Sequence, residues 1–320
     1  MGKRLSIAAV AIFVMLGLTS CTGQKDSETS GYRIGFAVQT LSNQVWAQQA
    51  GELKTVAQRD GNQVTVVDCN GNALRQIDQL ENFIIRKVDA IIVNPVAGAA
   101  VESVCREARE SGILVLSYDE EMENSDINWL IDNYDLGTKI GQEAAQWVNQ
   151  TFGDATCEAV ILGYPQTPIL YQREQGIKES LSNLSPNAEI VANQPALDTT
   201  EGLNAMETIL QAHPEVKVIC CIGGGGATGA NEALKGFYGT DNYPEDVAVF
   251  STDLTDETIE SMQNGEFNKV CVAITGNAVS CADAVYDLVI RKLNGEEMEQ
   301  NIYREFIPVN AENLHQILDQ

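Results

Sequence analysis

Polar side chains recur in this chain just past its short apolar runs. Gln39 and Asn43 follow Tyr32–Val38, Asn94 follows Asp89–Val93, and Asp119 and Glu120 follow Ile113–Ser117. Asp132 and Asn133 come after Ile127–Ile131, Gly223–Gly226 after Val216–Ile222, and Asp253 after Val247–Ser251. In open α/β sheets, ligands sit outside the carboxyl ends of the strands. Loops at strand ends also carry function more often than the elements they join. The shared placement therefore points to non-covalent binding of a small molecule. Each residue alone has a plainer reading. Asn94 before Pro95 fits a turn, and Asp253 fits a cap for a helix starting near Asp256.

Covalent and metal chemistry find no comparable pattern. Apart from Cys21, the cysteines are Cys69, Cys105, Cys157, Cys220, Cys221, Cys271 and Cys281, with no CxxC or metal-ligand spacing. Cys220 and Cys221 lie inside an apolar run and read as small buried hydrophobes. His213 precedes Pro214 and reads as the end of a helix; neither it nor His315 has a partner motif. No nucleophilic triad, no metal and no cofactor are expected, and the chain does not read as an enzyme. One motif competes with this reading. Gly224-Gly225-Gly226-Ala227-Thr228-Gly229 matches GxGxxG after a strand, with Asp253 24 residues beyond Gly229. On pattern alone that is a dinucleotide fingerprint, with a helix N-terminus to hold a pyrophosphate. Its late position argues against it, and a tight turn explains the glycines as well.

The elements that position these residues alternate along the chain. Strand-like runs in the first half are Tyr32–Val38, Val64–Val67, Asp89–Val93, Ile113–Ser117 and Ile127–Ile131. Between and after them, Val45–Gly61, Leu74–Ile84, Val101–Ala108 and Leu136–Gln150 carry apolar residues at helical spacing. The second half repeats the design. Its strands are Ala159–Gly163, Glu189–Ala192, Val216–Ile222, Val247–Ser251, Lys269–Ile274 and a last one over Ile302–Val309. Its helices are Tyr171–Leu184, Thr200–Ala212, Ala227–Phe237, Asp256–Gly265 and Ala278–Leu293. Short apolar strands alternating with amphipathic helices predict an α/β fold of two doubly wound parallel-sheet lobes.

The first residues state where the chain works. Lys3 and Arg4 precede an uncharged apolar run, Ile7–Leu18, in the layout of a secretory signal peptide over 1–20. The run is shorter than the ~20 apolar residues of a membrane span. Leu18-Thr19-Ser20-Cys21 resembles a bacterial lipobox, which implies lipidation of Cys21, a polar tether over 21–31 and an extracytoplasmic, membrane-anchored protein. Removing residues 1–20 takes away Lys3 and Arg4, and the net charge of −25 becomes −27. A surface this acidic excludes nucleic acid as a partner. The acidic residues are scattered and read as a solvated surface.

A family resemblance rests on several pieces in order: Thr40-Leu41-Ser42-Asn43-Gln44-Val45-Trp46, Ile92-Val93-Asn94-Pro95, Leu116-Ser117-Tyr118-Asp119, Asp132-Asn133-Tyr134-Asp135-Leu136-Gly137, Arg173-Glu174-Gln175-Gly176-Ile177 and Thr252-Asp253. Over 32–310 the chain resembles the solute-binding proteins of sugar ABC importers, of the ribose- and galactose-binding type (periplasmic binding protein type I). The resemblance implies two lobes joined by three crossovers that close on a small ligand. The lobes would be 32–131 plus 275–303 and 132–274 plus 304–320. It also implies a permease and an ATPase as partners, and a monomer is expected.

Carried over by motif, Gln39, Asn43, Val45, Trp46, Asn94, Asp119 and Glu120 would face the cleft from the first lobe. Arg173, Leu197, Gly223, Asp253 and Ala273 would face it from the second. The chain departs from the ribose-type pattern at several of these positions. Val45-Trp46 replaces two aromatics, Glu120 an arginine, Gly223-Gly224 an Asn-Asp pair, and Ala273 a glutamine. With Asp119, Glu120 and Asp253 against Arg173, the site reads as acidic. The expected ligand is neutral or carries a positive group: an amino sugar, a modified polyol or a nucleoside. Asp119→Ala and Arg173→Ala are expected to abolish binding without disturbing the ligand-free fold. The alternatives are a sensor presenting a ligand such as an autoinducer furanose to a receptor, and a nucleoside- or dinucleotide-binding protein.

Overall fold

The computed structural model describes residues 31–42, 44–239, 243–274 and 278–318. The signal peptide, most of the tether, Cys21, Asn43 and the second expected crossing at Thr275 lie outside the described residues. The chain runs β1 (Arg33–Val38), α1 (Gln44–Arg59), β2 (Gln63–Asp68), α2 (Ala73–Ile85), β3 (Ala90–Val93), α3 (Gly98–Glu110), β4 (Leu114–Tyr118), β5 (Ile127–Leu130) and α4 (Asn133–Thr151). It continues through β6 (Cys157–Gly163), α5 (Pro168–Leu184), β7 (Ala188–Pro195), α6 (Thr199–Ala212), β8 (Val216–Cys221), α7 (Gly224–Tyr238), β9 (Ala248–Thr252), α8 (Asp256–Gln263) and β10 (Asn268–Ile274). It ends with α9 (Ala278–Leu293), β11 (Asn301–Tyr303), β12 (Phe306–Val309) and α10 (Leu314–Leu318). Among the described residues no helix is long and apolar enough to cross a membrane.

Two sheets result. The first has the order β11-β5-β4-β3-β1-β2 and is parallel throughout. The second has the order β12-β10-β9-β8-β6-β7, parallel except for β12, which runs against β10. Parallel strands need a crossover between each pair, so helices cover both faces and the strands are apolar on both. In β1, Ile34, Phe36 and Val38 pack on one side with Leu53 of α1 and Val289 of α9. Ala37, on the other side, joins Leu80 of α2 and Val101 of α3. In β8, Cys220 packs with Leu136 and Ile177, while its neighbour Cys221 packs with Met206 and Leu234. Both thiols are buried and free, as the apolar run predicts, and burial pushes Cys220 up to about 12. Such thiols are inert.

Two findings differ from the sequence reading. The single strand expected over Ile302–Val309 is broken at Arg304-Glu305. β11 joins the first sheet beside β5, and β12 joins the second beside β10. The short helix α10 was not anticipated; five residues are too few to show a helical period. His213 is the C-cap of α6, where the sequence places it.

Close helix packing accounts for several glycines of the second half. A Cβ on Gly137 of α4 would overlap the Arg173 carbonyl of α5, and one on Gly229 of α7 would overlap backbone of α6 at Thr199 and Leu203. Gly51, on the exposed side of α1, faces open space. Gly229→Val is therefore expected to lower the stability of the second half by about 1–3 kcal/mol through overpacking. Gly51→Ala should raise stability by about 0.5–1 kcal/mol. Denaturant unfolding of the two variants checks both signs; a Gly229→Val protein as stable as the parent would mean that α6 and α7 are not in contact there.

Candidate functional site

The residues at the carboxyl edge of the first sheet divide into framework and free groups. Asn94 is 2% exposed. Its Oδ1 accepts from the Gln39 amide at 3.3 Å, and its Nδ2 donates to the Tyr118 carbonyl at 3.2 Å. Gln76 of α2 donates to the Asn94 carbonyl at 2.8 Å. Asn94 thus ties the ends of β1, β3 and β4 together, and its side chain is spent on backbone. The Gln39 side chain is likewise bonded, to the Pro95 carbonyl. Glu120, expected to face a ligand, instead accepts the Gly98 amide at the start of α3 at 2.9 Å. The N-cap residue Ala97 supplies no side-chain acceptor. A carboxylate is the group a helix N-terminus favours, so Glu120 serves as the missing cap.

Trp46 and Asp119 remain presented. Trp46 is half-buried and stands edge-on to Tyr118 at 4.8 Å, which in turn meets Trp129 at 4.8 Å. Asp119 follows β4 directly, with φ of 68°. This left-handed conformation is uncommon for residues other than glycine, although Asp is enriched in it. The Asp119 amide donates to the Trp129 carbonyl at 3.0 Å. Its Oδ1 pairs with Nη2 of Arg304, a residue that no strand-end motif identified. Arg304 is 9% exposed, and its guanidinium lies 4.8 Å from the Tyr118 ring and 4.3 Å from the Trp129 ring. Its amide donates to the Leu130 carbonyl at 2.9 Å. Burial pulls its guanidinium below the usual value.

The second sheet carries a matching set. Asp253 follows β9 with φ of 66°, the counterpart of Asp119 after β4. Its Oδ2 accepts the Gly224 amide at 3.2 Å, so it caps α7 rather than α8, whose cap is Thr255. Arg173 of α5 is 8% exposed. It donates from Nη1 to the Ile222 carbonyl at 2.6 Å, and from Nε and Nη2 to Oδ1 of Asn133 at 3.2 and 2.6 Å. Burial lowers its guanidinium, and the nearby Asp253 charge opposes that shift. Asp132 caps α4 by accepting the Asp135 amide at 2.9 Å. Gly223 is extended, and a Cβ there would lie 3.3 Å from Oδ2 of Asp253. Leu197 is half-exposed, whereas Ala273 is buried with Met262 and Val309 and presents nothing to a cleft.

Two expectations change. The glycine run is not a phosphate loop: Gly229 packs on α6, and the Asp253 carboxylate already occupies the N-terminus of α7. A pyrophosphate there would meet a like charge. The site is also less acidic than its sequence suggests, because Glu120 is committed to α3, Asp119 is paired with Arg304, and Arg173 lies near Asp253. What remains is a set of fixed donors and acceptors beside Trp46, in which Arg304 offsets Asp119 and Arg173 lies near Asp253.

Comparison with known proteins follows the same lines. The family model described as "Periplasmic binding protein domain" matches residues 34–297. The ribose import binding protein of Bacillus subtilis is 26% identical over 204 residues, which are 63% of this chain and 65% of that protein's length. A periplasmic ribose ABC transporter structure from Conexibacter woesei superposes with a TM-score of 0.74 at 19% identity, covering 91% of this chain and 96% of that one. A solute-binding protein from Actinobacillus succinogenes with bound D-allose gives a TM-score of 0.70 at 22% identity, covering 89% and 99%. At these identities the structural likeness establishes the fold.

The division into framework and presented residues has a stability signature. Glu120→Ala should cost about 0.5–2 kcal/mol, the worth of a helix cap. Asp119→Ala should cost about 3 kcal/mol, because it strands the buried Arg304 charge. This replaces the expectation that alanine at Asp119 leaves the ligand-free fold undisturbed. Thermal unfolding without ligand checks the order; equal, negligible losses would show that neither carboxylate is engaged as described.

Proposed function

We propose a binding role, with no catalysis, for this chain, which belongs to the periplasmic binding protein domain family. Its ligand is a neutral polyhydroxylated molecule, a sugar or a cyclic polyol. The chain presents it, outside the cytoplasm, to the permease and ATPase of an ABC importer. One observation carries this reading: the strand-end aspartates Asp119 and Asp253, one on each sheet, each have an arginine nearby. A carboxylate accepts from hydroxyls and a guanidinium donates to them. Adjacent hydroxyls on one carbon skeleton offer both partners at once. Trp46 adds an apolar face for the C–H side of a ring. The relatives, a ribose import binding protein and a solute-binding protein with bound D-allose, support the same ligand class.

Binding proceeds by hinge closure. The chain passes between the sheets between β5 and α4, between β10 and α9, and between β11 and β12. With the first lobe taken as 32–131 plus 275–303 and the second as 132–274 plus 304–320, a ligand touching both strand edges favours the state in which they approach. A ligand shifts such an equilibrium only by its differential contacts. The apolar run and Cys21 support export and lipid anchoring, which would hold the protein at the membrane that carries the importer.

Thermal unfolding of the protein with D-ribose, D-allose, myo-inositol, D-glucosamine and NAD tests this reading. A neutral compound at 100 times its dissociation constant should add about 2.7 kcal/mol of stability. A shift with NAD alone would sink the proposal. Asp119→Asn keeps the local shape, while Arg173→Lys keeps the charge but loses the fork on Ile222 and Asn133; each removes charge-assisted hydrogen bonds of about 1.5–3 kcal/mol. Affinity for the bound compound should therefore fall by about 10- to 100-fold in each.

A further inference from the structure

Among the described residues, Arg304 is a charged group of the carboxyl edge with a donor that the framework leaves unanswered. Its Nη2 is paired with Asp119, but its Nε is buried and has no hydrogen-bond partner. The side chain is 6% exposed, against 31% for that of Asp119. The pair therefore has an enclosed cationic end and an open anionic end. Two aromatic rings, Tyr118 and Trp129, lie against the guanidinium and hold its plane. Its main chain is fixed too, through the bond to the Leu130 carbonyl. A buried donor with no acceptor destabilises the ligand-free protein, and an incoming oxygen atom removes that penalty.

We propose that Arg304 is a ligand-contacting, specificity-determining residue: with Asp119 it grips adjacent hydroxyl oxygens of a neutral ligand and disfavours ligands that carry an amine. This rests on the polyol reading of the site and deepens it. Asp119 accepts a hydroxyl proton through the carboxylate oxygen not engaged by Arg304. An Arg304 N–H donates to a neighbouring ligand oxygen. The same guanidinium cancels the Asp119 charge, so an ammonium group gains no net attraction at that end and meets a fixed positive charge. Without Arg304, Asp119 and Asp253 would outweigh Arg173, and the balance would favour a cation. Two buried guanidiniums, one from α5 and one from the β11–β12 crossover, would then define the site's polarity.

Calorimetric titration of D-allose, myo-inositol and D-glucosamine decides the matter. It is carried out on the unsubstituted protein, Arg304→Gln, Arg304→Lys and the double variant Asp119→Asn/Arg304→Gln. Arg304→Gln is expected to weaken the neutral compound at least 10-fold. It should also raise the ratio of D-glucosamine to neutral binding by 10-fold or more, with Arg304→Lys intermediate in both. The double variant carries no unpaired charge, so its folding is not in question; it should also lose neutral binding, without gaining the amine. A purely structural Arg304 would lower the melting temperature yet leave that ratio unchanged. Neutral affinity within twofold of the parent in Arg304→Gln or in the double variant overturns the inference while the polyol reading stands. Failure of both neutral compounds to bind the unsubstituted protein overturns the polyol reading itself, and the role of Arg304 with it.

Discussion

A parallel strand cannot hand the chain to its neighbour by a hairpin. It must be followed by a crossover, and that constraint organises this molecule. Each helix returns the chain to the start of the next strand, so the carboxyl ends of the parallel strands share one edge. Both faces of each sheet are then covered, and the core is apolar on both sides of every central strand. Few polar side chains are buried within the strands, and those such as Ser117, Asn128 and Thr252 are hydrogen-bonded there. Others gather where the strands stop: Asn94, Asp119 and Asp253 each lie one residue past a strand.

Clustering polar groups at an apolar edge raises an electrostatic cost that the chain meets locally. A buried charge without a partner is expensive, and a paired one is retained only where geometry is good. The carboxylates are therefore distributed. Glu120 and Asp253 sit on helix N-termini, where the amides of Gly98 and Gly224 would otherwise lack an acceptor. Asp119 is matched by Arg304. Arg173 is held by two carbonyl-type oxygens and approached by Asp253. The positive φ of both Asp119 and Asp253 is a modest backbone cost paid twice, at equivalent places in the two sheets. Strain recurring at matched strand ends belongs to a feature that both halves need.

Much of the fold was legible because its signal is local. Continuous apolar runs bounded by turn residues mark the strands, and the apolar spacing of α9 marks Ala278–Leu293. Where the reading failed, the missing information was non-local. Apolar residues flank Arg304-Glu305 closely enough for Ile302–Val309 to read as one strand, yet Tyr303 pairs with Leu130 and Phe306 with Ile274 in another sheet. Strand ends were visible, so Asp119 and Asp253 were too. Their partners were not: that Glu120 would be drawn to Gly98, or that Arg304 would lie beside Asp119, depends on which strands become neighbours. The glycines at 224–229 look like a phosphate loop for the same reason, since close helix packing and anion binding both select for a missing side chain.

The split at Arg304 also bears on the hinge closure proposed above. Up to Arg304 the chain is part of the first sheet: β11 lies against β5, the Arg304 amide bonds the Leu130 carbonyl, and the guanidinium is clasped by Asp119, Tyr118 and Trp129. From Phe306 it is part of the second, paired with Ile274. The change of sheet is thus confined to the link through Glu305. On the first crossover the matching limit is set by Asp132, which caps α4, and by Asn133, which receives Arg173. In the closure proposed above, such anchors on either side of short links would restrict the lobes to rotation about the links, because packed cores do not deform continuously. The two arginines proposed to set the polarity of the strand edges are also anchored at the ends of two crossovers. On the proposed reading, a ligand that engages either guanidinium would act next to a crossover, where closure would turn.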